Sequence, residues 1–424
     1  MSNLSTENRS FLLEEANRCL KCKVPRCKNA CPISTDIPTI MGLFLDGKEQ
    51  EAGEVLFANN PLSAICSVVC PHENNCFGNC VLGIKQTPIS FFKIEQYLSG
   101  NYAAAFDCAQ PEKNGMRVAV VGAGPAGITM SILLAKKGFQ VTLMEAQEQI
   151  GGVLRYGIPA FRLPKDRVDA YRTILSKLGV KIKTACYIGS NLSIDDMFMD
   201  GYDAVFLAVG TAKPNRLGLL GETLGHVHFA IDYLRAPQTH ELGKSVVVIG
   251  AGNVAMDAAR TALRSGNDVR VTVLNNRREQ DVTATREEFE MAKAEGVAFR
   301  HLLSALRITD EGVICAEVDA TEDENGTVCF EENMLSHSLI EADSVILAIG
   351  QGPKSAPSGK AQIATTLRGL FVVDENGMTN IPGVFAAGDV VSGPKTVVEA
   401  VAYTKRVAEK LEAYCLEKHA KQTR

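Results

Sequence analysis

The sequence predicts an α/β protein in which two doubly wound domains, the second inserted in the first, follow an α-helical, cysteine-rich module. Three observations predict it. Eight of the 13 cysteines fall within the first eighty residues, in two groups. Two glycine-rich loops, each behind a short apolar strand, follow near residues 122 and 250. Matching strand segments then recur: Val205-Phe-Leu-Ala-Val-Gly210 and Val345-Ile-Leu-Ala-Ile-Gly350 both end on Ala-x-Gly, the mark of two related units.

At 424 residues the chain exceeds what one core accommodates, and two or three domains are expected. A hydrophobic share of 46% with 22% charged residues belongs to a folded globular chain. A net charge of −5 gives no electrostatic reason to expect nucleic acid or an anionic membrane as partner. The apolar run 118–135 approaches membrane-spanning length, but it contains Gly122, Gly124, Pro125 and Gly127, so it reads as strand, turn and helix. The N-terminus lacks the basic start and apolar core of a signal peptide. A cytoplasmic protein is expected, and there cysteine clusters hold metals rather than form disulfides.

Along the chain, residues 1–110 read as short helices and loops, with helical spacing from Phe11 to Cys22, and the polar stretch Gln110 to Gly115 as a linker. Residues 111–239 and 341–424 are expected to build the first α/β domain, and 240–340 the inserted one. Asp319 to Glu332 reads as an exposed hairpin, and the charged tail beyond Tyr414 as frayed.

Cys19, Cys22, Cys27 and Cys31 form C-x2-C-x4-C-x3-C before Pro32; Cys66, Cys70, Cys76 and Cys80 form C-x3-C-x5-C-x3-C. Four thiolates within so short a stretch, closed by proline, suit ferredoxin-type iron–sulfur ligation. Zinc usually pairs two C-x2-C knuckles at long separation, so it fits the continuous first group less well. In two-cluster modules the cysteine before proline commonly serves the other centre. By that logic one 4Fe–4S cluster takes Cys19, Cys22, Cys27 and Cys80, and the other takes Cys31, Cys70, Cys76 and one further ligand, which Cys66 could supply.

The first loop is Gly122-Ala-Gly124-Pro125-Ala126-Gly127, between a strand from Met116 to Val121 and a helix ending near Gly138. Its glycines permit a tight turn and close backbone approach, and the helix N-terminus faces a pyrophosphate, as in a Rossmann-like domain. The next strand, Gln140 to Met144, ends on Glu145, placed to accept ribose hydroxyls, which suits FAD. In the late segment around Gly388, Asp389 is placed for the flavin ribityl chain, and the helix after Thr396 points its positive end at the ring.

The second loop is Gly250-Ala-Gly252-Asn253-Val254-Ala255. Its following strand, Asp268 to Leu274, ends not on an acid but on Asn275, followed by Asn276, Arg277 and Arg278. A carboxylate there would repel a 2′-phosphate, whereas paired guanidiniums would bind one, so NADP(H) is expected with NAD(H) as the alternative.

With these residues in view the chain resembles the small subunit of glutamate synthase and its relatives, the electron-input part of dihydropyrimidine dehydrogenase and the flavin-bifurcating NADPH–ferredoxin transhydrogenase subunit. The resemblance covers nearly the whole chain. It rests on both cysteine groups, GAGPAG, the string Gly151-Gly152-Val-Leu-Arg-Tyr-Gly157-Ile-Pro159-Ala-Phe-Arg162-Leu-Pro164-Lys165, GAGNVAMD at 250–257, Ala348-Ile-Gly350-Gln351, and AAGDVVSGPKTVVEA at 386–400. It implies Glu145 and Arg162 as FAD ligands, completed by Gly388, Asp389 and Thr396, and Arg277 and Arg278 as 2′-phosphate ligands. It also implies Glu95, seven residues after Pro88, as the non-cysteine ligand of the flavin-side cluster. One departure is Val282-Thr-Ala-Thr285, where relatives often carry Met-Pro, and this keeps NAD(H) open.

The expected function follows. An NAD(P)H-oxidising flavoprotein passes electrons from FAD through two 4Fe–4S clusters to a larger catalytic subunit or a ferredoxin-like acceptor. Hydride transfer needs positioning more than proton transfer, so no general acid or base is assigned. A self-contained reductase and a non-enzymatic redox sensor are the alternatives. The C-x-x-C of a thioredoxin-reductase-like enzyme is missing from 240–340, where the only cysteines are Cys315 and Cys329.

Overall fold

The computed structural model describes residues 6–189, 192–322, 328–353 and 362–422. It divides into two compact units, one of residues 1–154, 160–211 and 353–424, the other of 155–159 and 212–352.

Among the described residues the first unit begins with six α-helices, α1 (Thr6–Asn17), α2 (Arg26–Asn29), α3 (Ile37–Leu45), α4 (Glu49–Asn59), α5 (Ser63–Val69) and α6 (Phe91–Ala104). The first helix stops at Asn17, short of Cys22, so the first cysteines lie on irregular backbone. Asp36 caps α3 by accepting from the Thr39 N–H, and Pro38 occupies its first turn. Leu12, Ile40, Met41, Phe44, Leu56 and Ile94 form the core of this helical part.

The α/β part of the same unit runs β1 (Arg117–Val121), α7 (Pro125–Lys136), β2 (Gln140–Met144), the start of α8 (Val153–Tyr156, whose last two residues count with the second unit), α9 (Lys165–Lys177), β3 (Lys181–Lys183), α10 (Ile194–Met199) and β4 (Ala204–Leu207). The second unit carries β5 (Lys213–Pro214), β6 (Val227–Phe229), α11 (Ala230–Arg235), β7 (Ser245–Ile249), α12 (Asn253–Leu263), β8 (Arg270–Leu274), α13 (Arg286–Ala294) and β9 (Ala298–Arg300). It continues with β10 (Leu303–Thr309), β11 (Gly312–Glu322), β12 (Val328–Glu341), β13 (Ser344–Leu347) and β14 (Gln351–Gly352). The chain then returns to the first unit as β15 (Val384–Ala386), α14 (Asp389–Ser392) and α15 (Val397–Gln422).

Each unit has a five-stranded parallel sheet, in the orders β15-β4-β1-β2-β3 and β6-β13-β7-β8-β9. The strands are continuous Val, Ile, Leu and Ala runs because both faces are covered.

Pairing corrects the expected boundaries of 240–340. Val345 faces Val247 and Val227, so β13, and with it the Ala348-x-Gly350 turn, belongs to the inserted unit rather than to 341–424. On the other side β6 lies before residue 240 yet completes the second sheet. The insertion is therefore wider, 212–352. Sequence reasoning missed β6 because three half-buried residues leave no periodic signal.

The acidic hairpin is β11 and β12, paired antiparallel from Gly312–Glu341 to Glu322–Val328, and its tip, residues 323–327, lies outside the described residues. The tail is corrected too. Helix α15 continues through Gln422, with Leu411 and Cys415 buried along it. Among the described residues no helix is long and apolar enough to cross a membrane.

Candidate functional site: two thiol groups and two dinucleotide loops

The eight early cysteines gather in two sets that cross the sequence order. Cys19 lies in the electrostatic field of Cys22 and Cys80, and Cys27 in that of Cys80 and Cys19. Cys31, Cys66, Cys70, Cys76 and Glu95 instead face one cavity, which His72 and Val398 help to close. Both competitors for the fourth position, Cys66 and Glu95, are thus at hand: Cys66 pairs with the Cys70 thiol, and Glu95 lies in the field of Cys70 and Cys76.

Buried thiols and acids resist ionisation without a compensating positive charge. Burial pushes the Cys27 thiol up to about 11 and the Glu95 carboxyl up to about 8. Cys70 is raised first by its hydrogen bond with Cys66 and then by burial, and Cys76 by burial. A bound cationic iron–sulfur core would reverse this and favour the thiolates. His72, stacked on Phe92 at 4.3 Å and driven down to about 4 by burial, keeps a buried Nε2 with no partner among the described residues. A cluster sulfide would satisfy it. Among the described residues no three His, Cys, Asp or Glu side chains could hold a single metal ion. Thiols in two sets, with one carboxylate beside the second, are the donor chemistry that four-iron clusters take.

The first dinucleotide loop opens at the carboxyl end of β1. Gly122 has φ +100°, and a Cβ there would come within 2.3 Å of the Ala208 carbonyl. A Cβ on Gly127 would stand 1.8 Å from the Gly122 carbonyl, so the third glycine is required by the packing of α7 on the turn. Gly152 packs against Gly124, where an added Cβ would meet the Gly124 Cα at 2.8 Å. Glu145, expected to meet a ribose, also braces the loop: its carboxylate accepts the Ala123 N–H at 2.7 Å and the Gln147 N–H at 2.9 Å. Burial raises its pKa in spite of these bonds. Each carboxylate oxygen retains capacity for a further donor.

Gly388 takes φ +77° at the end of β15 and lies over Ala126, bringing Asp389 to the same loop. Asp389 accepts from the Lys395 N–H at 3.3 Å, and burial pushes it up to about 6. Thr396 caps the 26-residue α15 reciprocally with Glu399, its hydroxyl donating to that carboxylate at 2.6 Å and accepting from the Glu399 N–H at 3.3 Å. Arg162 lies on the turn between α8 and α9. Two residues beyond Thr396, Val398 lines the cysteine cavity.

In the second unit Gly250, at φ +135°, leaves no room for a side chain beside the Ala348 carbonyl, which a Cβ would meet at 2.3 Å. Asn253 starts α12 and accepts the Thr285 N–H at 2.8 Å, while the Ala284 N–H donates to Ala251 at 2.9 Å. The segment 282–285 that departs from the family string therefore ties directly to the loop. Asn275 ends β8 buried, accepting the Arg277 N–H at 3.0 Å.

The two arginines differ. The Arg277 guanidinium stands over the Phe330 ring at 5.7 Å, whereas Arg278 is held by Asp281 at 2.6 and 3.3 Å and by Glu322 at 3.6 Å.

Sequence reasoning missed His72, Val398 and Tyr171. Tyr171, on α9, is fully buried and lies in the field of Cys66 and Glu95, with the Ala64 backbone at its hydroxyl. Nothing in the sequence signals it, because the three helices meet only in the folded unit.

Paired parallel sheets with glycine loops at their carboxyl ends, joined to a cysteine-lined helical module, define a pyridine-nucleotide flavoprotein oxidoreductase. Residues 116–403 match the pyridine nucleotide-disulphide oxidoreductase family and residues 3–105 match dihydropyrimidine dehydrogenase domain II, described as carrying a 4Fe-4S cluster. The chain belongs to this oxidoreductase family, in the branch that includes glutamate synthase small chains. It is 32% identical over 427 residues to the glutamate synthase [NADPH] small chain of Escherichia coli K12, covering 93% of this chain and 89% of that one. It is equally 32% identical over 409 residues to the NAD-dependent dihydropyrimidine dehydrogenase subunit PreT of Salmonella typhimurium, covering 95% and 94%. FprA of Mycobacterium tuberculosis, solved in complex with NADPH, shares the fold at TM-score 0.61 and 18% identity, over 73% of this chain and 86% of that one. The cofactors of the family are FAD and NAD(P), with 4Fe–4S chemistry in the N-terminal domain.

Proposed function

We propose that this chain is a cytoplasmic electron-input subunit that oxidises NADPH and delivers single electrons to a larger catalytic subunit. The observation that carries this reading is the start of α15, where Thr396 caps the helix beside the flavin loop and Val398, two residues on, lines the cavity of Cys31, Cys66, Cys70, Cys76 and Glu95. One helix end thus adjoins the proposed flavin site and the proposed inner cluster. Bound FAD supplies the conversion of a hydride into two separate electrons.

The chain's own residues bind and orient. The Gly122–Gly127 loop and the N-terminus of α7 would receive the pyrophosphate, and Glu145, Arg162 and Asp389 the sugar and ribityl portions. The N-terminus of α15 would place positive potential near the flavin ring. The Gly250–Val254 loop, with Ala348 and Gly350 beside it, would take the nicotinamide dinucleotide. Arg277 would be the principal 2′-phosphate contact, since Arg278 is already engaged by two carboxylates. Cys19, Cys22, Cys27 and Cys80 would hold the outer cluster. Cys31, Cys70 and Cys76 would hold the inner one, with Glu95 as fourth ligand and Cys66 as the alternative.

The relatives support a partner. Glutamate synthase small chain and PreT are both named as components of larger enzymes. The test is anaerobic purification from the native host with iron and flavin quantification and identification of co-purifying chains. About eight irons per chain, as two four-iron clusters require, flavin, and a large stoichiometric partner are expected. Zinc in place of iron would refute the reading.

A further inference from the structure

A cavity of about 340 Å³ lies at the amino-terminal edge of the first parallel sheet, opposite the carboxyl ends where the dinucleotide loop sits, and every residue lining it belongs to the first unit. Its size is that of a small-molecule site. Residues 110–113, read from the sequence as a linker, form one wall. Asn114 fixes that wall, its N–H donating to the Gly138 carbonyl and its side chain to the Lys137 carbonyl, both at 3.0 Å. The Gln110 amide lies against the turn before β3, where a Cβ on Gly179 would stand 3.5 Å from it.

Strand register decides what else meets there. Arg117 pairs with Gln140, and Thr142 with Lys181. Residues paired across parallel strands share a face of the sheet, as do residues two apart on one strand. Arg117, Gln140, Thr142 and Lys181 therefore share the face that Ala119, Val121 and Met144 fill with core further along. The apolar face turns polar where the cavity begins. Tyr202 borders it, its hydroxyl donating to Thr142 at 2.9 Å, which leaves the Thr142 proton free to donate.

The lining is cationic. Lys113, Arg117 and Lys181 are exposed, and none has a carboxylate partner among the described residues. Arg117 commits one guanidinium nitrogen, to the Asp200 carbonyl at 3.4 Å, and keeps its other donors. Asp200 is the one acid in the lining, and Pro111, Phe139 and Leu178 supply its apolar part. Arg117 and Lys181 start the strands on either side of β2, so two strand spacings, about 10 Å, separate their backbones. Cations on both flanks of one cleft match a ligand with an anionic group at each end.

We propose that this cavity binds a small organic dicarboxylate, one carboxylate on Arg117 and the other on Lys181, with Lys113 of the loop beside them. The site lies apart from the dinucleotide loops and the cysteine sets, so the inference goes beyond the electron-input reading and does not rest on it.

The test is titration calorimetry on the holoprotein with succinate, glutarate and adipate, which differ only in the apolar spacer. Butyrate, which lacks a second carboxylate, and inorganic phosphate are the comparators. At least one dicarboxylate should bind saturably, at one site per chain and about tenfold or more tighter than butyrate. Arg117→Gln and Lys181→Gln should each weaken that binding by about tenfold or more and leave flavin content, iron content and ferricyanide reduction by NADPH unchanged. Should Arg117→Gln fail to fold, Lys181→Gln and Lys113→Gln decide with the same readouts. If no dicarboxylate binds, if butyrate or phosphate binds as tightly, or if binding ignores the substitutions, the proposal is wrong and the electron-input reading stands.

Discussion

The two dinucleotide-loop units share a sheet and a turn but are held in opposite ways. In the first, α7 is buried on nearly every side, from Ala126 through Ala135, and packs against α15. A carboxylate, Glu145, braces its loop. In the second, α12 is clasped by ions: buried Arg260 donates to Glu288 at 2.7 Å and to Glu295 at 2.8 and 3.1 Å, and Arg264 joins at 2.7 Å. At the end of the second strand the first unit has an acid and the second a neutral Asn275. The same glycine turn thus tolerates an apolar or an ionic setting, and the residue at the strand end differs between the two units.

The largest expected effect comes from breaking the steric basis of the first loop. Gly127→Val drives a side chain into the Gly122 carbonyl and should cost more than about 4 kcal/mol, read as lost flavin content and lost cooperative unfolding. A variant that keeps flavin with native stability would contradict the packing argument. Next is the ionic clasp. Arg260→Ala removes the buried cation that Glu288 and Glu295 share and should destabilise by about 3–5 kcal/mol, measured by denaturant melts; an effect below about 1 kcal/mol would mean the network behaves as an exposed one.

Cofactor choice sharpens the strand-end difference. Arg277→Ala should raise KM for NADPH about tenfold or more and leave NADH unaffected. Arg278→Ala should act more weakly because Asp281 and Glu322 already occupy its guanidinium. Asn275→Asp, which gives the second unit the first unit's acid, should shift preference toward NADH. A wild type that prefers NADH would dismiss the phosphate reading.

The smallest effects are in pH dependence, and they have opposite signs. In the second unit Glu295 is held down to about 2 by Arg264 and Arg260, below its ordinary 4.5. Its contribution is present above pH 4.5 and lost as pH falls toward 2. In the first unit Asp389 is raised by burial from 3.8 to about 6. Its contribution is present below pH 3.8 and lost as pH rises through about 6. Melting temperature of the flavin-free chain against pH should therefore flatten above pH 4 in Asp389→Asn and below pH 4.5 in Glu295→Gln. The reverse assignment would show that burial does not govern Asp389.

Much of the site was legible because its chemistry lies in short strings. Glycines at 122 and 127 are fixed by local clashes, and the acid or amide at a strand end follows its loop by a near-constant interval. Cysteine spacing alone left open which thiols share a centre; the cysteine before proline suggested a crossed grouping, and in the fold Cys19 and Cys27 lie in the field of Cys80. The boundaries 240–340 went wrong for the opposite reason: β6 and β13 are recognisable only through the strand beside them. Identical apolar pattern fits either sheet.

Sequence by itself determined the residue types: thiols in two groups, glycines in two turns, a strand-end acid in one unit and an amide in the other. Each is a property of a side chain or of its immediate backbone. Tertiary structure alone decided which groups meet. It set Tyr171 beside Cys66 and Glu95, brought Val398 to the inner thiols, and stood Arg277 over Phe330 while pairing Arg278 with Glu322. These juxtapositions join residues tens to hundreds of positions apart, and only packing of the whole chain fixes such distances.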